Sequence, residues 1–170
     1  MLSRSLCSLG VAAFLLAGCA ALQPPVVPSG ASMPEVEAAL GGPKDVMTAP
    51  GGAVECQYPT GPIGQNTYIV TFGPNHRVTA FRQALTFDNF AKIRVGMTED
   101  EIRLMFGRPY TTVYYRNLNE DVWSYRYLIP VNDNRIFNVH FDAKTGRVRT
   151  TSDQKDELFH PTFTPRGFVL

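Results

Sequence analysis

The chain has 170 residues, of which 44% are hydrophobic, and its 16 Lys and Arg residues nearly balance its 15 Asp and Glu residues. This length and apolar content are typical of one globular domain or two small ones, and they exclude a disordered tail. A formal net charge of +1 indicates neither a nucleic-acid surface nor a polybasic lipid patch. Composition by itself therefore names no partner.

The residues from 1 to 19 have the plan of a lipoprotein signal. Arg4 precedes an apolar run over residues 6–16, and Leu16-Ala17-Gly18-Cys19 follows, which resembles the bacterial lipobox. The apolar run is too short to span a bilayer. We expect residues 1–18 to be a signal peptide and Cys19 to carry a diacylglycerol and an N-acyl chain, which together give stable anchoring. The alternative is an ordinary secretory peptide with a chance cysteine.

A proline-rich linker is predicted over residues 19–29, because Pro24, Pro25 and Pro28 disfavour both helix and sheet. Beyond it, Cys56 is left without a cysteine partner once Cys7 is removed and Cys19 is lipidated. It falls on the apolar side of an alternating segment, so we predict a small core residue rather than a reactive thiol.

The chain repeats itself at an offset of 66 residues. The segment 30–36 aligns with 96–102, and the segment 40–43, which contains Gly-x-Pro, aligns with 106–109. Self-similarity of this kind determines the architecture. We predict an abbreviated first repeat over 30–85 and a second repeat over 86–151. A Pro- and Phe-rich extension over 152–170 either wraps the domain or forms part of a binding surface.

Each repeat is predicted to contain one helix of about two turns. Capping boxes begin the helices, Ser32 with Glu35 in the first copy and Thr98 with Glu101 in the second. Gly41 and Gly107 follow the last apolar residues, where a left-handed conformation is expected, and Pro43 and Pro109 prevent continuation. A further short helix over 88–92, opened by Asp88, precedes the second motif. Because so short a helix is unstable alone, each must lie on a sheet.

Period-two alternation after each helix predicts that sheet. In the second copy Trp123, Tyr125 and Tyr127 point one way, while Ser124 and Arg126 point the other. Further strands alternate around Phe137, Val139 and Phe141 and around Val148, and the first copy has counterparts around Cys56, Val70 and Val78. The fold class is therefore α+β, with two tandem units that each place short helices before a three- to four-stranded antiparallel sheet.

The motifs of the second repeat resemble a known family. Ile93 to Thr98, then Phe106-Gly107-Arg108-Pro109, Trp123-Ser124-Tyr125, Val139-His140-Phe141 and Gly146-Arg147-Val148 look like the BamE (SmpA/OmlA) family of outer-membrane lipoproteins. A tandem of two such units is similar in plan to the beta-lactamase inhibitory protein. The resemblance implies a non-enzymatic envelope lipoprotein that faces the periplasm and binds proteins, as BamE does within the machine that inserts outer-membrane barrels. The alternatives are an inhibitor or regulator of another envelope protein and, least favoured, an uncharacterised enzyme.

The sheet face opposite the aromatic residues is the predicted binding surface. It is polar and partly basic, so its arginines suit forked hydrogen bonds to an acidic or polar protein surface. The alternative is that this face is simply the solvated side of an antiparallel sheet. The predicted partner-binding residues are Arg77, Arg126, Asn138, His140, Arg147 and Arg149, and Glu55, Gln57, Thr71 and Ser124 lie on the same face.

Signals for an enzyme or a bound cofactor are weak. Residues 144–146 and 152–155 imitate two fragments of the serine beta-lactamase signature, but in reversed chain order. The three histidines, His76, His140 and His160, have no companions at metal-ligand spacing. The acidic run over 99–101 complements a helix dipole, which is a structural role. We expect no catalytic residue, no metal, no cofactor and no nucleic-acid partner.

Overall fold

The computed structural model describes residues 25–61, 64–129 and 133–158. The predicted signal peptide, Cys19 and residues 159–170 lie outside that part of the chain. Two four-stranded antiparallel sheets are present, with strand orders β1-β2-β3-β4 and β5-β6-β7-β8. The elements are α1 (Met33–Leu40), β1 (Asp45–Thr48), a 3-10 turn (Pro50–Gly52), β2 (Val54–Thr60), β3 (Asn66–Phe72), β4 (Val78–Gln83), α2 (Phe87–Phe90), α3 (Glu99–Phe106), β5 (Thr111–Tyr115), β6 (Glu120–Ile129), β7 (Asp133–Asp142) and β8 (Arg147–Lys155).

The tandem plan is confirmed by contacts that recur at equivalent positions. In the first unit the Gly30 N–H donates to the Val78 carbonyl at 2.8 Å, and in the second the Gly96 N–H donates to the Val148 carbonyl at 2.8 Å. Each bond ties the segment before the helix to the last strand of its own sheet. The predicted α+β fold is therefore confirmed, with four strands in each unit.

The helix starts follow the predicted capping boxes. In α3 the Glu101 N–H donates to the Thr98 hydroxyl at 3.2 Å, and the Thr98 N–H donates to the Glu101 carboxylate at 2.7 Å. In α1 the Glu35 carboxylate accepts from the Ser32 N–H at 2.6 Å. Both boxes satisfy backbone donors that a helix N-terminus otherwise leaves unpaired.

Two local predictions need correction. Gly41 and Gly107 have the expected positive φ, 82° and 77°, but their ψ values of −176° and −161° are extended rather than left-handed helical. A glycine is still favoured, since other residues rarely adopt a positive φ. The helix expected over 88–92 is α2, which begins at Phe87, and its cap is the Thr86 side chain, which accepts from the Asn89 N–H.

Capping should make stability depend on pH. Hydrogen bonds from the Thr98 N–H and hydroxyl lower the pKa of Glu101 below its ordinary value of 4.5. A carboxylate with a lowered folded pKa stabilises the fold above its unfolded pKa, and that contribution is lost as the pH falls through the folded value. In Glu101→Gln the amide can still cap but cannot titrate. We expect its melting temperature to fall less than the wild-type value between about pH 6 and about pH 3. Equal slopes for the two proteins would contradict this role.

The first hydrophobic core lies between α1 and one face of the first sheet. Val36, Cys56, Val70 and Phe72 belong to it and are fully buried or nearly so. The prediction that Cys56 is a small core residue is confirmed, and burial raises the pKa of its thiol. Val27 packs into the same core, so the end of the predicted 19–29 linker belongs to the folded unit.

The second hydrophobic core joins the two units. It combines Met47 and Ile69, from the other face of the first sheet, with buried residues of α2, α3 and the second sheet, among them Phe90, Phe106 and Tyr125. The helix α3 therefore lies between the two sheets. This face of the first sheet was predicted to be part of a polar binding surface. The second unit covers it around Gln57 and Ile69, whereas Arg77 stays exposed.

Arginine side chains fasten that covered face to α3. Arg82 on β4 donates to the carbonyls of Leu104 and Met105 at 2.7 Å each, where the helix C-terminus favours a cation. Arg103 on α3 donates two bonds to the Asp45 carboxylate, at 2.9 and 2.7 Å. Paired hydrogen bonds of this kind fix the relative position of the two elements.

Gln57 makes a third connection between the units. Its side-chain oxygen accepts from the Arg108 N–H at 2.9 Å, and its side-chain nitrogen donates to the Arg108 carbonyl at 3.2 Å. Only 4% of Gln57 is exposed. Gln57 therefore belongs to the interface between the units, which corrects its predicted place on an open face.

The last strand extends beyond residue 151, where the second repeat was predicted to end. β8 continues through Lys155, so residues 152–155 belong to the second sheet and not to the extension. Asp156, which follows, is buried. None of the helices in the described ranges is both long enough and apolar enough to cross a membrane.

Candidate functional site

Polar side chains on the second sheet form a continuous hydrogen-bonded chain. Ser124 Oγ donates to Asn138 Oδ1 at 2.7 Å, and Asn138 Nδ2 donates to Ser152 Oγ at 3.2 Å. His140 Nε2 lies 2.9 Å from Ser152 Oγ, and His140 Nδ1 lies 3.2 Å from Glu120 Oε2. The predicted residues Asn138 and His140 are thus engaged within their own sheet.

The order Ser152, His140, Glu120 matches the order of groups in a serine hydrolase triad. Such a nucleophile must present its oxygen to a substrate beside oxyanion donors. Ser152 instead lies within β8, and its oxygen already accepts from Asn138. We assign this chain of bonds a structural role, which is to hold β6, β7 and β8 in register.

Three of the predicted binding arginines make hydrogen bonds or ion pairs within the protein. Arg147 donates to the Gly96 carbonyl at 2.8 Å, and Arg77 makes the equivalent bond to Gly30 at 3.3 Å in the first unit. Arg149 lies 2.9 Å from the Asp142 carboxylate and donates to the Leu118 carbonyl. Arg77 lies in the other unit and does not join the group on the second sheet.

Arg126 is the most enclosed of the predicted residues. Its Nε lies 2.8 Å from the Asp156 carboxylate, and the two side chains are only 13% and 3% exposed. The guanidinium carbon also lies 3.8 Å from the centre of the Tyr110 ring, a cation–π contact. Arg126 therefore links the end of β8 to the start of β5, and its predicted role in binding a partner stays a prediction.

A cleft between the two units was missed by sequence reasoning. Its volume is about 640 Å³. Four cationic side chains line it, and no Asp or Glu is among its lining residues within the described ranges. Two of the cations are neutralised by the ion pairs already described. The four are Lys44, Arg103, Arg108 and Arg126.

The remaining two cations of the cleft, Lys44 and Arg108, have no acidic partner among the residues described. Lys44 directly follows the Gly-x-Pro motif of the first repeat, and Arg108 is the middle residue of the motif in the second, so each repeat contributes one cation at or next to this motif. Their matching positions in the two repeats are the only sign of the cleft in the sequence. They could not predict the cleft, because only folding brings the two segments together.

Beside the cleft lies β5, an edge strand of the second sheet. Thr111 and Thr112 line the cleft. The strand and its flanks expose large apolar side chains, with Tyr110, Val113, Tyr114, Tyr115 and Leu118 between 42% and 60% exposed. Exposed apolar residues that adjoin one another mark an interaction surface more often than scattered ones do.

The second unit carries the family signature. Residues 83–151 match the family model of the outer membrane protein assembly factor BamE domain. The expected likeness to the BamE family is thereby confirmed over the second repeat. This BamE-like unit comprises α2, α3 and β5 to β8, and residues 152–155 complete its last strand.

One solved structure matches the chain over part of its length. It is a protein from Streptococcus mutans described as a "putative beta-lactamase inhibitor protein", with 12% sequence identity and a TM-score of 0.32 over 74% of this chain and 83% of the other. No curated protein matches the chain in sequence.

Within the described ranges no group of three or more His, Cys, Asp or Glu side chains is arranged to hold a metal ion.

Proposed function

We propose that this chain is a lipid-anchored protein of the bacterial cell envelope that binds other proteins, without enzymatic activity, in the assembly or maintenance of the outer membrane. The match of residues 83–151 to the BamE domain carries this proposal. The exposed apolar surface at β5 supports it, since the BamE-like unit offers a partner an edge strand, paired on one side only, beside a cleft.

The anchor in this proposal is Cys19. Val27 already packs into the first core, so residues 19–26 separate the anchor from that core. Eight extended residues reach at most about 28 Å, which would hold the first unit close to the membrane surface. A short tether of this kind suits a domain whose partner is itself bound to the outer membrane, with the domain on the periplasmic side.

Crosslinking in growing cells tests the proposal. The tagged protein is crosslinked, the envelope is solubilised, and the captured proteins are identified by mass spectrometry. We expect a component of the barrel-assembly machinery to be captured, because the BamE-like unit is proposed to act there. The Cys19→Ser variant should leave the outer-membrane fraction and capture much less of that component, because it lacks the lipid.

Two results would contradict the proposed function. Capture of a single soluble enzyme, in an amount equal to that of the tagged protein, would favour the alternative that the chain is an inhibitor. Absence of any captured envelope protein, with the protein correctly located and folded, would leave no binding role in outer-membrane assembly. The intact mass of the amino-terminal peptide provides the control, since it reports separately whether Cys19 is lipidated.

A further inference from the structure

Among the residues that the structure describes, none pairs with the outer edge of the strand β5. Of the four edge strands in the described residues, β1, β4 and β8 contain charged residues, and β4 and β8 also pair with their neighbours through a register irregularity. Charges and bulges are the devices by which proteins block the addition of a further strand. Thr111 to Tyr115 has neither, and all five of its residues are exposed.

The composition of β5 suits strand addition. Threonine, valine and tyrosine are among the residues that pack best against a neighbouring strand. An edge strand also leaves the backbone N–H and C=O groups of alternate residues unpaired, and an extended peptide can bind them as a further strand. Affinity would then come from the backbone, and selectivity from the side chains beside it.

The charge of the adjoining cleft defines the partner. Thr111 and Thr112 form part of the cleft wall, so a strand bound to β5 would pass along the cleft. Lys44 and Arg108 are the cations there without acidic partners among the residues described. Acidic side chains on the bound segment would supply those partners.

We propose that β5 and the basic cleft bind an extended, acidic segment of a partner protein, which adds to the second sheet as a fifth strand. This inference rests on the proposed function and names the kind of partner and the surface it uses. Two other occupants fit less well. Residues 159–170 contain no Asp or Glu, and a second copy of the chain would bring two basic clefts together.

Peptide selection provides the probe. A display library of random linear twelve-residue peptides is selected on the purified protein, and the tightest peptide is synthesised. We expect the enriched peptides to alternate β-branched or aromatic residues with Asp or Glu and to lack central prolines. Enrichment of neutral or basic peptides, or no enrichment, would overturn the proposal.

Hydrogen exchange then locates the bound peptide. With the peptide at roughly nine times its Kd, exchange of the outward-facing amides within 111–115 should slow about tenfold, because only about a tenth of the protein remains free. The amides of β8, over 147–155, are the internal control and should not change. Protection on β8 and not on β5 would contradict strand addition at the proposed edge.

Charge reversal tests the cleft. The double variant Lys44→Glu with Arg108→Glu should weaken binding of the selected peptide at least about tenfold. The pair Lys92→Glu with Lys144→Glu changes the net charge equally at exposed positions outside the cleft lining and should bind nearly as the wild type does. If both double variants bind the peptide equally well, the cations of the cleft do not contribute to binding.

Two further comparisons separate the alternatives. If removal of residues 159–170 speeds exchange at β5 in the absence of peptide, the chain's own tail is the occupant and the proposal fails. If the Lys44→Glu, Arg108→Glu variant still captures the barrel-assembly component from cells, this surface is wrong while the proposed function stands. If the Lys44→Glu, Arg108→Glu variant loses capture while the Lys92→Glu, Lys144→Glu variant keeps it, the result supports both the proposed surface and the proposed function.

Discussion

Replacing Arg126 by alanine is expected to lower the free energy of unfolding by about 3–5 kcal/mol, since a buried carboxylate that loses its partner is strongly destabilising. The Arg126 and Asp156 side chains are 13% and 3% exposed and lie 2.8 Å apart. The substitution also removes the contact with Tyr110. Urea denaturation of the two proteins measures the difference directly.

Arg149 provides the matched control for Arg126. It makes an ion pair of similar length, 2.9 Å to Asp142, but its side chain is 43% exposed, and exposed pairs contribute about 1 kcal/mol or less. Arg149→Ala should therefore be nearly neutral. Replacing both members of the buried pair, as Arg126→Met with Asp156→Leu, should recover much of the lost stability. If Arg126→Ala lowers the free energy of unfolding as little as Arg149→Ala does, burial does not determine how much the Arg126–Asp156 pair contributes to stability.

Replacing Gly107 by alanine is expected to destabilise the protein by about 4 kcal/mol, which combines backbone strain in a region that only glycine adopts readily with overpacking. A Cβ at Gly107 would lie 2.5 Å from the side-chain carbon Cδ of Gln57, whereas a Cβ at Gly41 meets nothing within 4 Å. The two glycines occupy the same position in the two repeats and have φ values of 77° and 82°. Gly41→Ala should thus cost only the strain, about 2 kcal/mol.

The difference between the two glycine variants isolates the contact between the units. Gln57→Ala should cost less in the Gly107→Ala background than in the wild type, because the clash is then relieved, and a double-mutant cycle measures that coupling. Equal destabilisation by the two glycine variants would mean that Gln57 moves aside without cost. In that case the units would be joined less tightly than the hydrogen bonds of Gln57 indicate.

The arginines show what a residue pattern can and cannot predict. Alternation correctly placed Arg126, Asn138 and His140 on the side of the second sheet opposite Tyr125. It could not predict that Asp156, beyond the expected end of the repeat, would enclose Arg126. A charge reversal at Arg126 would therefore disturb folding, so it cannot report on partner binding alone.

The amino-acid sequence by itself determined the local features of each repeat. Ser32 and Thr98 begin their helices, Gly41 and Gly107 end them, and the alternating residues around Cys56 form the apolar face of a strand. These features depend on neighbours a few residues apart, through backbone hydrogen bonds and side-chain period. Such interactions are readable from a linear pattern.

Only the tertiary structure decided how the two repeats meet. Packing of the first sheet onto α3 buried Gln57 and brought Lys44 and Arg108 to one cleft. It also left β5 as an open edge. The same alternating pattern describes a strand face in water and one beneath a neighbouring unit. The choice between them depends on long-range burial of apolar area, which local spacing does not encode.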